Sequence, residues 1–259
     1  MTGSFLSPDR VLAELGVEEP DDIDIEAIAQ YCGATIIYEA LEGAAARIVG
    51  YGDRAYITVD SRSSRPRQRF SAGHELGHWM SDRGRISAFE CTEGNFTGAW
   101  SANNPETRAN RFAGDLLLPK AMFSRDARAK EVTFAGAGAL ADRYETSLTA
   151  TAIRLVELGS FPAVILCFEP GSKRWAWHKR GPDLPSRLWP RDLPAKNSIA
   201  FDIMNGGHPP SPANVGAWAW FDCREAADYE VYEDSILVAG HILTLLWWRD
   251  ESMILRMGS

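Results

Sequence analysis

Cysteine is scarce and scattered. Cys32, Cys91, Cys167 and Cys223 stand far apart and form no CxxC pair. That spacing excludes a disulfide framework and a zinc ribbon, and it fits free thiols in a reducing compartment. No apolar run reaches the length needed to span a bilayer. The longest candidate, SILVAGHILTLLWW, is too short and contains His241, so it reads as a buried strand or helix of a core. The N-terminal MTGSFLSPDR lacks a basic stretch followed by an apolar one, so no signal peptide is expected and the cytoplasm is the expected location. Positive charge is also in deficit: 27 Lys and Arg against 35 Asp and Glu, a formal net charge of -8. An acidic balance argues against general nucleic-acid binding, although it leaves room for a local basic patch.

What is present is an ordinary globular composition, 45% apolar and 24% charged, in a chain of 259 residues. That length accommodates one large domain or two modest ones, with a core that needs no covalent staples. Residues 8–16 and 24–33 read as short helices, each with a glycine at or just past its end. TIIYEAL follows as a strand, and ARIVGYGDRAYITVD as a hairpin turning at Gly50–Asp53. A basic, turn-rich SRSSRPRQ leads into a helix that carries HELGH, residues 74–78. Residues 84–104 read as a long irregular connection. PETRANRFAGDLLLP then has Asn104 as a cap, Pro105 in the first turn, an apolar stripe and a closing proline. Helices are expected over 121–130 and 136–158. After Phe161 the chain becomes β-rich, with FPAVILCFE and KRWAWHKR as strands and Trp175 and Trp177 on one face. The expected architecture is α+β: a mainly helical domain with a small sheet over residues 1–160, then a β-rich domain over 161–259.

HELGH carries the chemistry. On a helix, residues i and i+4 share a face, so His74 and His78 can offer imidazole nitrogens to one zinc ion. Glu75 is rotated around the helix beside them and can take a proton from a metal-bound water without being a ligand. The alternative is a surface helix with two solvated histidines. Gly73 and Gly77, also at i and i+4, favour burial, because two helix-weakening glycines on one stripe suit the close approach of another backbone. A third ligand is required. Glu106 is the first choice, since it lies on the inward stripe of the second helix, where a charge is costly unless it is paired or bound to metal. A carboxylate answering the helix dipole is the alternative reading. Asp82, Glu90, Cys91, Glu93 and Asp115 are rival ligands, and Asp82 could instead support the site from outside. Asn110, one turn beyond Glu106, could accept a hydrogen bond from a ligand histidine. Cys91 also offers a thiolate that could close the open metal position.

RQRFSAGHELGH followed by ETRANRFAGDLLLP resembles the ImmA/IrrE metallopeptidases over roughly residues 8–160. Ser71 stands where that family often has Thr, and Gly73 where it often has Ala. The resemblance implies that His74, His78 and Glu106 bind one Zn2+ and that Glu75 is the general base. It also implies a narrow protein substrate, typically a helix-turn-helix repressor whose cleavage releases stress or mobile-element genes, with no direct contact to nucleic acid or membrane. The β-rich C-terminal part would sense a signal or recognise the substrate. Two other readings remain: a zinc-binding regulator that does not cut, and a DNA-binding protein using ALADRYETSLTATAIRLVELG, with SLTATAIR as its recognition helix. The arginines at 62, 65, 67 and 69 read as a solvated or substrate-facing edge, and His178, His208 and His241 as ordinary core or surface histidines.

Overall fold

The computed structural model describes residues 6–82, 89–91, 104–169 and 171–257, with residues 82 and 89–91 described in backbone only. The chain falls into two compact units, Met1–Phe123 with Ala141–Ser147, and Ser124–Leu140 with Leu148–Ser259.

The first unit begins with two capped helices. In α1 (Pro8–Glu14), Ser7 accepts a hydrogen bond from the Arg10 amide, and in α2 (Ile25–Tyr31) Asp24 does the same for Ala27. Strands β1 (Ala34–Glu39), β2 (Ala46–Tyr51) and β3 (Arg54–Asp60) follow, and the hairpin expected at Gly50–Asp53 is the β2–β3 pair. With β4 at Phe89–Cys91, the sheet order is β1-β3-β2-β4, with β1 parallel to β3 and the other pairs antiparallel. Strand β4 (Phe89–Cys91) lies inside the stretch read as an irregular connection and corrects that reading: a short strand can borrow its hydrogen bonds from the open edge of β2, which no local sequence pattern reports. The sheet buries alternate residues, Ile48, Ala55, Ile57 and Val59 among them, in a core shared with α2 and with α3 (Arg65–Asp82). Trp79 anchors α3 there by donating its indole N–H to the Cys32 carbonyl at 2.9 Å.

Helix α4 (Pro105–Leu117) starts as its sequence dictates, with Asn104 accepting from the Glu106 amide at 3.0 Å and Pro105 at the first position. It crosses α3 at unusually short range. A Cβ placed on Gly77 would lie 2.9 Å from Ala109 Cα and 3.1 Å from Ala109 O; one on Gly73 would lie 3.3 Å from Ala113 Cβ. The two glycines are therefore the hole into which α4 fits, as their spacing suggested.

Three expectations for the chain after α4 are corrected. The helix expected over 136–158 is two helices, α6 (Phe134–Tyr144) and α7 (Leu148–Leu158), because Glu145 takes a left-handed backbone at φ 49°. The apolar run at 235–248 is a hairpin that turns at Ala239 (φ 48°) and Gly240 (φ 81°), the positive pair that a two-residue turn requires. Its arms are β8 (Glu230–Val238) and β9 (His241–Trp247). With β5 (Ala163–Phe168), β6 (Trp177–Arg180) and β7 (Ala213–Gly216) they form an antiparallel sheet of order β6-β5-β9-β8-β7. Trp175 precedes β6 and does not share its strand with Trp177. Between α4 and α6 lies α5 (Lys120–Asp126), and α8 (Ile199–Met204) and α9 (Glu251–Met257) complete the unit.

Two neighbouring acids on β8 hold helix starts. Glu233, fully buried, accepts from the Ala200 amide in α8 at 2.7 Å, from Trp220 Nε1 at 2.8 Å and from Ser235 Oγ at 2.8 Å. Burial pushes its carboxyl above the usual range even so. Asp234 accepts from the Phe134 amide at the start of α6 at 2.6 Å and from Ser211 Oγ at 2.7 Å.

The α3–α4 contact gives a paired stability test. Gly77→Ala should destabilise the protein by about 1 to 3 kcal/mol, because the new methyl meets backbone that cannot yield. Gly114→Ala, on α4 with nothing within 4 Å of its new Cβ, should stabilise by up to about 1 kcal/mol through helix propensity. Thermal melting of both variants checks the pair, and equal effects would contradict the close-approach reading.

Candidate metal centre

The α3–α4 crossing sets the site. His74 and His78, one turn apart on α3, stack edge to face with ring centroids 4.7 Å apart, and their Nε2 atoms are 3.1 Å apart. Glu106, in the first turn of α4, reaches both: Oε2 lies 3.2 Å from His74 Nε2 and Oε1 lies 3.3 Å from His78 Nε2. Both imidazoles are 1% exposed and the carboxylate 25%, so the histidines form the floor and Glu106 the open side.

The protonation pattern suits a cation. Asn110 Oδ1 sits 2.8 Å from His74 Nδ1. An amide oxygen only accepts, so Nδ1 carries the proton and the Nε2 lone pair faces the other two groups. Burial first, and then the neighbouring His78 and Arg67, push the His74 imidazole down to about 4, so it is neutral under ordinary conditions. A neutral imidazole nitrogen is the form that binds metal. Bonds of 2.0–2.1 Å in tetrahedral arrangement place ligand atoms about 3.3 Å apart, and the three separations here match that spacing. Among the described residues, His74, His78 and Glu106 are the group of side chains that converges so that it could hold a metal ion. Glu75 follows His74 on the helix and is fully buried.

The rivals fare differently. Asp115 is ion-paired with Arg111 at 3.6 Å and is not part of the converging group. Glu90 and Cys91 lie on β4, whose backbone alone is described; the Asp82 side chain and Glu93 lie outside the described residues, so the metal-closing thiolate idea for Cys91 does too. The arginine run is corrected in part: Arg69 is 4% exposed and pairs with Glu145 at 3.1 Å, and Arg65 pairs with Glu26 at 3.1 Å. Arg69 stands four residues before Gly73 and so shares the packed stripe of α3, which charge alone did not reveal. In α7, the segment offered as a recognition helix, Thr151, Ala152, Leu155 and Val156 are buried, and its basic residue Arg154 is 13% exposed and lies 3.7 Å from Glu157. That face is committed to packing.

A helix with paired histidines and a buried glutamate, joined by a carboxylate from the next helix, makes a candidate metal site, and the family match supports a metallopeptidase. Residues 29–156 match the model of the Peptidase_M78 family, described as the IrrE N-terminal-like domain, and this part of the chain belongs to that family. No curated protein matches the chain. Among solved structures, a Mycobacterium tuberculosis transcriptional regulator is similar in fold, with a TM-score of 0.59 and 15% identity over 93% of this chain and 74% of that one.

Two outcomes are expected of the site. Glu106→Ala should lose most of its bound metal, and Asn110→Ala should bind it about 10- to 100-fold more weakly while keeping the fold, as read by elemental analysis and competition with a chelator. The metal-free protein should also be acid-sensitive through His74. Its folded value of about 4 lies below the unfolded one, so the unfolded chain takes up a proton that the folded chain refuses, and stability falls as pH drops from about 6.5 towards 4. His74→Gln should flatten that slope in melting curves, and an unchanged slope would assign the effect elsewhere.

Proposed function

We propose that the N-terminal unit is a zinc-dependent endopeptidase that hydrolyses one specific protein, a transcriptional repressor of the helix-turn-helix type. The observation that carries the reading is the convergence of His74 Nε2, His78 Nε2 and the Glu106 carboxylate beside the buried Glu75. The family membership of residues 29–156 supports peptide hydrolysis. The repressor substrate rests on the resemblance of the two motifs.

His74, His78 and Glu106 would hold the zinc. A divalent ion there would polarise the scissile carbonyl and make water acidic enough to ionise near neutral pH. Glu75 accepts the proton of the attacking water on its carboxylate and passes it to the leaving amine nitrogen. Asn110 Oδ1 holds the His74 ring in the tautomer that leaves Nε2 open. The region after residue 160 takes the accessory role, recognising the substrate or a signal. A cytoplasmic setting agrees with the free thiols of Cys32, Cys167 and Cys223 and with the lack, among the described residues, of a helix long and apolar enough to cross a membrane.

Glu75→Gln separates cutting from binding. The variant should hold metal as the wild type does, yet cleave a repressor substrate about 100- to 10,000-fold more slowly, followed by mass spectrometry of the fragments. Cleavage at the wild-type rate would remove Glu75 from the mechanism. Intact substrate with both proteins, across the repressors tested, would favour a metal-binding regulator that does not cut.

A further inference from the structure

The chain is acidic overall, yet residues 173–196 (KRWAWHKRGPDLPSRLWPRDLPAK) hold seven basic residues against two acidic ones, together with three of the nine tryptophans. The fold gathers part of this stretch at the β6 edge of the second sheet. The rings of Trp175 and His178 are 4.3 Å apart and those of His178 and Trp189 are 5.2 Å apart. Each tryptophan carries its own arginine: the Arg174 guanidinium lies 5.4 Å from the Trp175 ring centre and that of Arg180 lies 4.5 Å from Trp189. Trp189 is 50% exposed.

The charges in this strip are not equivalent. Lys179 pairs with Glu157 at 3.1 Å and Arg191 with Asp222 at 3.1 Å, so their charge is answered. Arg174 and Arg180 form no ion pair among the described residues; their contacts are with ring faces and, for Arg180, the Pro185 carbonyl. The local field is positive enough to act on His178, which is pushed below its ordinary value by burial and then by Arg180 and Lys179.

We propose that Arg174, Trp175, His178, Arg180 and Trp189 form a binding site for single-stranded nucleic acid, with bases stacking on the tryptophans and phosphates on the two arginines. An acidic peptide would use the charges but not the flat rings. A duplex hides the base faces that the rings require. Two tryptophan–arginine pairs in succession suit consecutive nucleotides of a strand better than one mononucleotide, because single-strand binders track the backbone with charge and stack successive bases on successive rings. The overall acidity of the chain then confines such binding to this strip. The site lies wholly in the second unit and does not depend on the peptidase reading.

The test uses the full chain and a fluorescent oligothymidylate of about 15 nucleotides, followed by anisotropy between about 50 and 200 mM salt. The wild type should bind and weaken steeply with salt. Arg174→Gln with Arg180→Gln should weaken binding at least about tenfold and flatten the log–log salt slope by about 1.4, the loss of two phosphate contacts. Trp189→Leu should weaken it about tenfold, with Trp189→Phe keeping most of the affinity. Metal content should be the same in every variant. Three results would overturn the proposal: absence of binding at low salt, unchanged affinity in the double arginine variant, or equal competition by polyglutamate or by thymidine monophosphate. If Trp189→Leu fails to melt cooperatively, the double arginine variant decides, and Arg174→Gln alone, at an exposed position before β6, checks it should the loss of the part-buried Arg180 unsettle the fold.

Discussion

The distance between α3 and α4 governs the first unit. Two helices normally pack 8–10 Å apart, with side chains filling the space between them. Here Gly73 and Gly77 remove those side chains from one helix, and Ala109 and Ala113 answer with the smallest ones from the other. The crossing is therefore set by backbone and Cβ atoms, which have no rotamers to relax into. Glu106 stands three residues before Ala109, so its reach to the two imidazoles depends directly on that contact. A site built this way inherits the stiffness of a helix pair rather than the mobility of a loop.

Burial and chemistry reinforce each other at this centre. Burial makes the His74 imidazole a poor host for a second proton, and Asn110 selects which of its nitrogens keeps the hydrogen. The remaining lone pairs and a carboxylate face one point. A carboxylate facing two imidazole nitrogens is a donor set that could hold a divalent cation. The sheet contributes by holding α3 from the other side through Leu76 and Trp79.

Much of this could be read from the chain because the informative steps are local. HELGH fixes the histidines by helical period, Asn104-Pro105 fixes the start of α4, and the glycine stripe announces a partner backbone. What could not be read depends on partners distant in sequence or on unusual backbone. Glu145 ends a helix without glycine or proline: its left-handed φ lets the Thr146 N–H turn back to the Ala141 carbonyl at 3.0 Å. Ala239-Gly240 turns a hairpin although alanine rarely takes a positive φ, so the two arms looked like one apolar run. Strand β4 exists through its pairing with β2. The tryptophan–arginine strip has a visible charge bias, but its ring contacts join residues from both sides of a proline-rich connection, and periodicity is silent there.

The two acids on β8 have a consequence for how the second sheet finds its alignment. Apolar alternation sets strand register only to within two residues, since a shift by two returns every side chain to its own face. β8 is not free to exploit that tolerance. Glu233 and Asp234 point to opposite faces, and each meets the amide of a different helix start, Ala200 on one and Phe134 on the other. Sliding the strand by two residues would keep its greasy pattern yet strand both carboxylates and both helix amides at once. The strand thus works like a key with teeth on both edges: hydrophobicity admits several positions of the blade, and the two acids let only one of them turn.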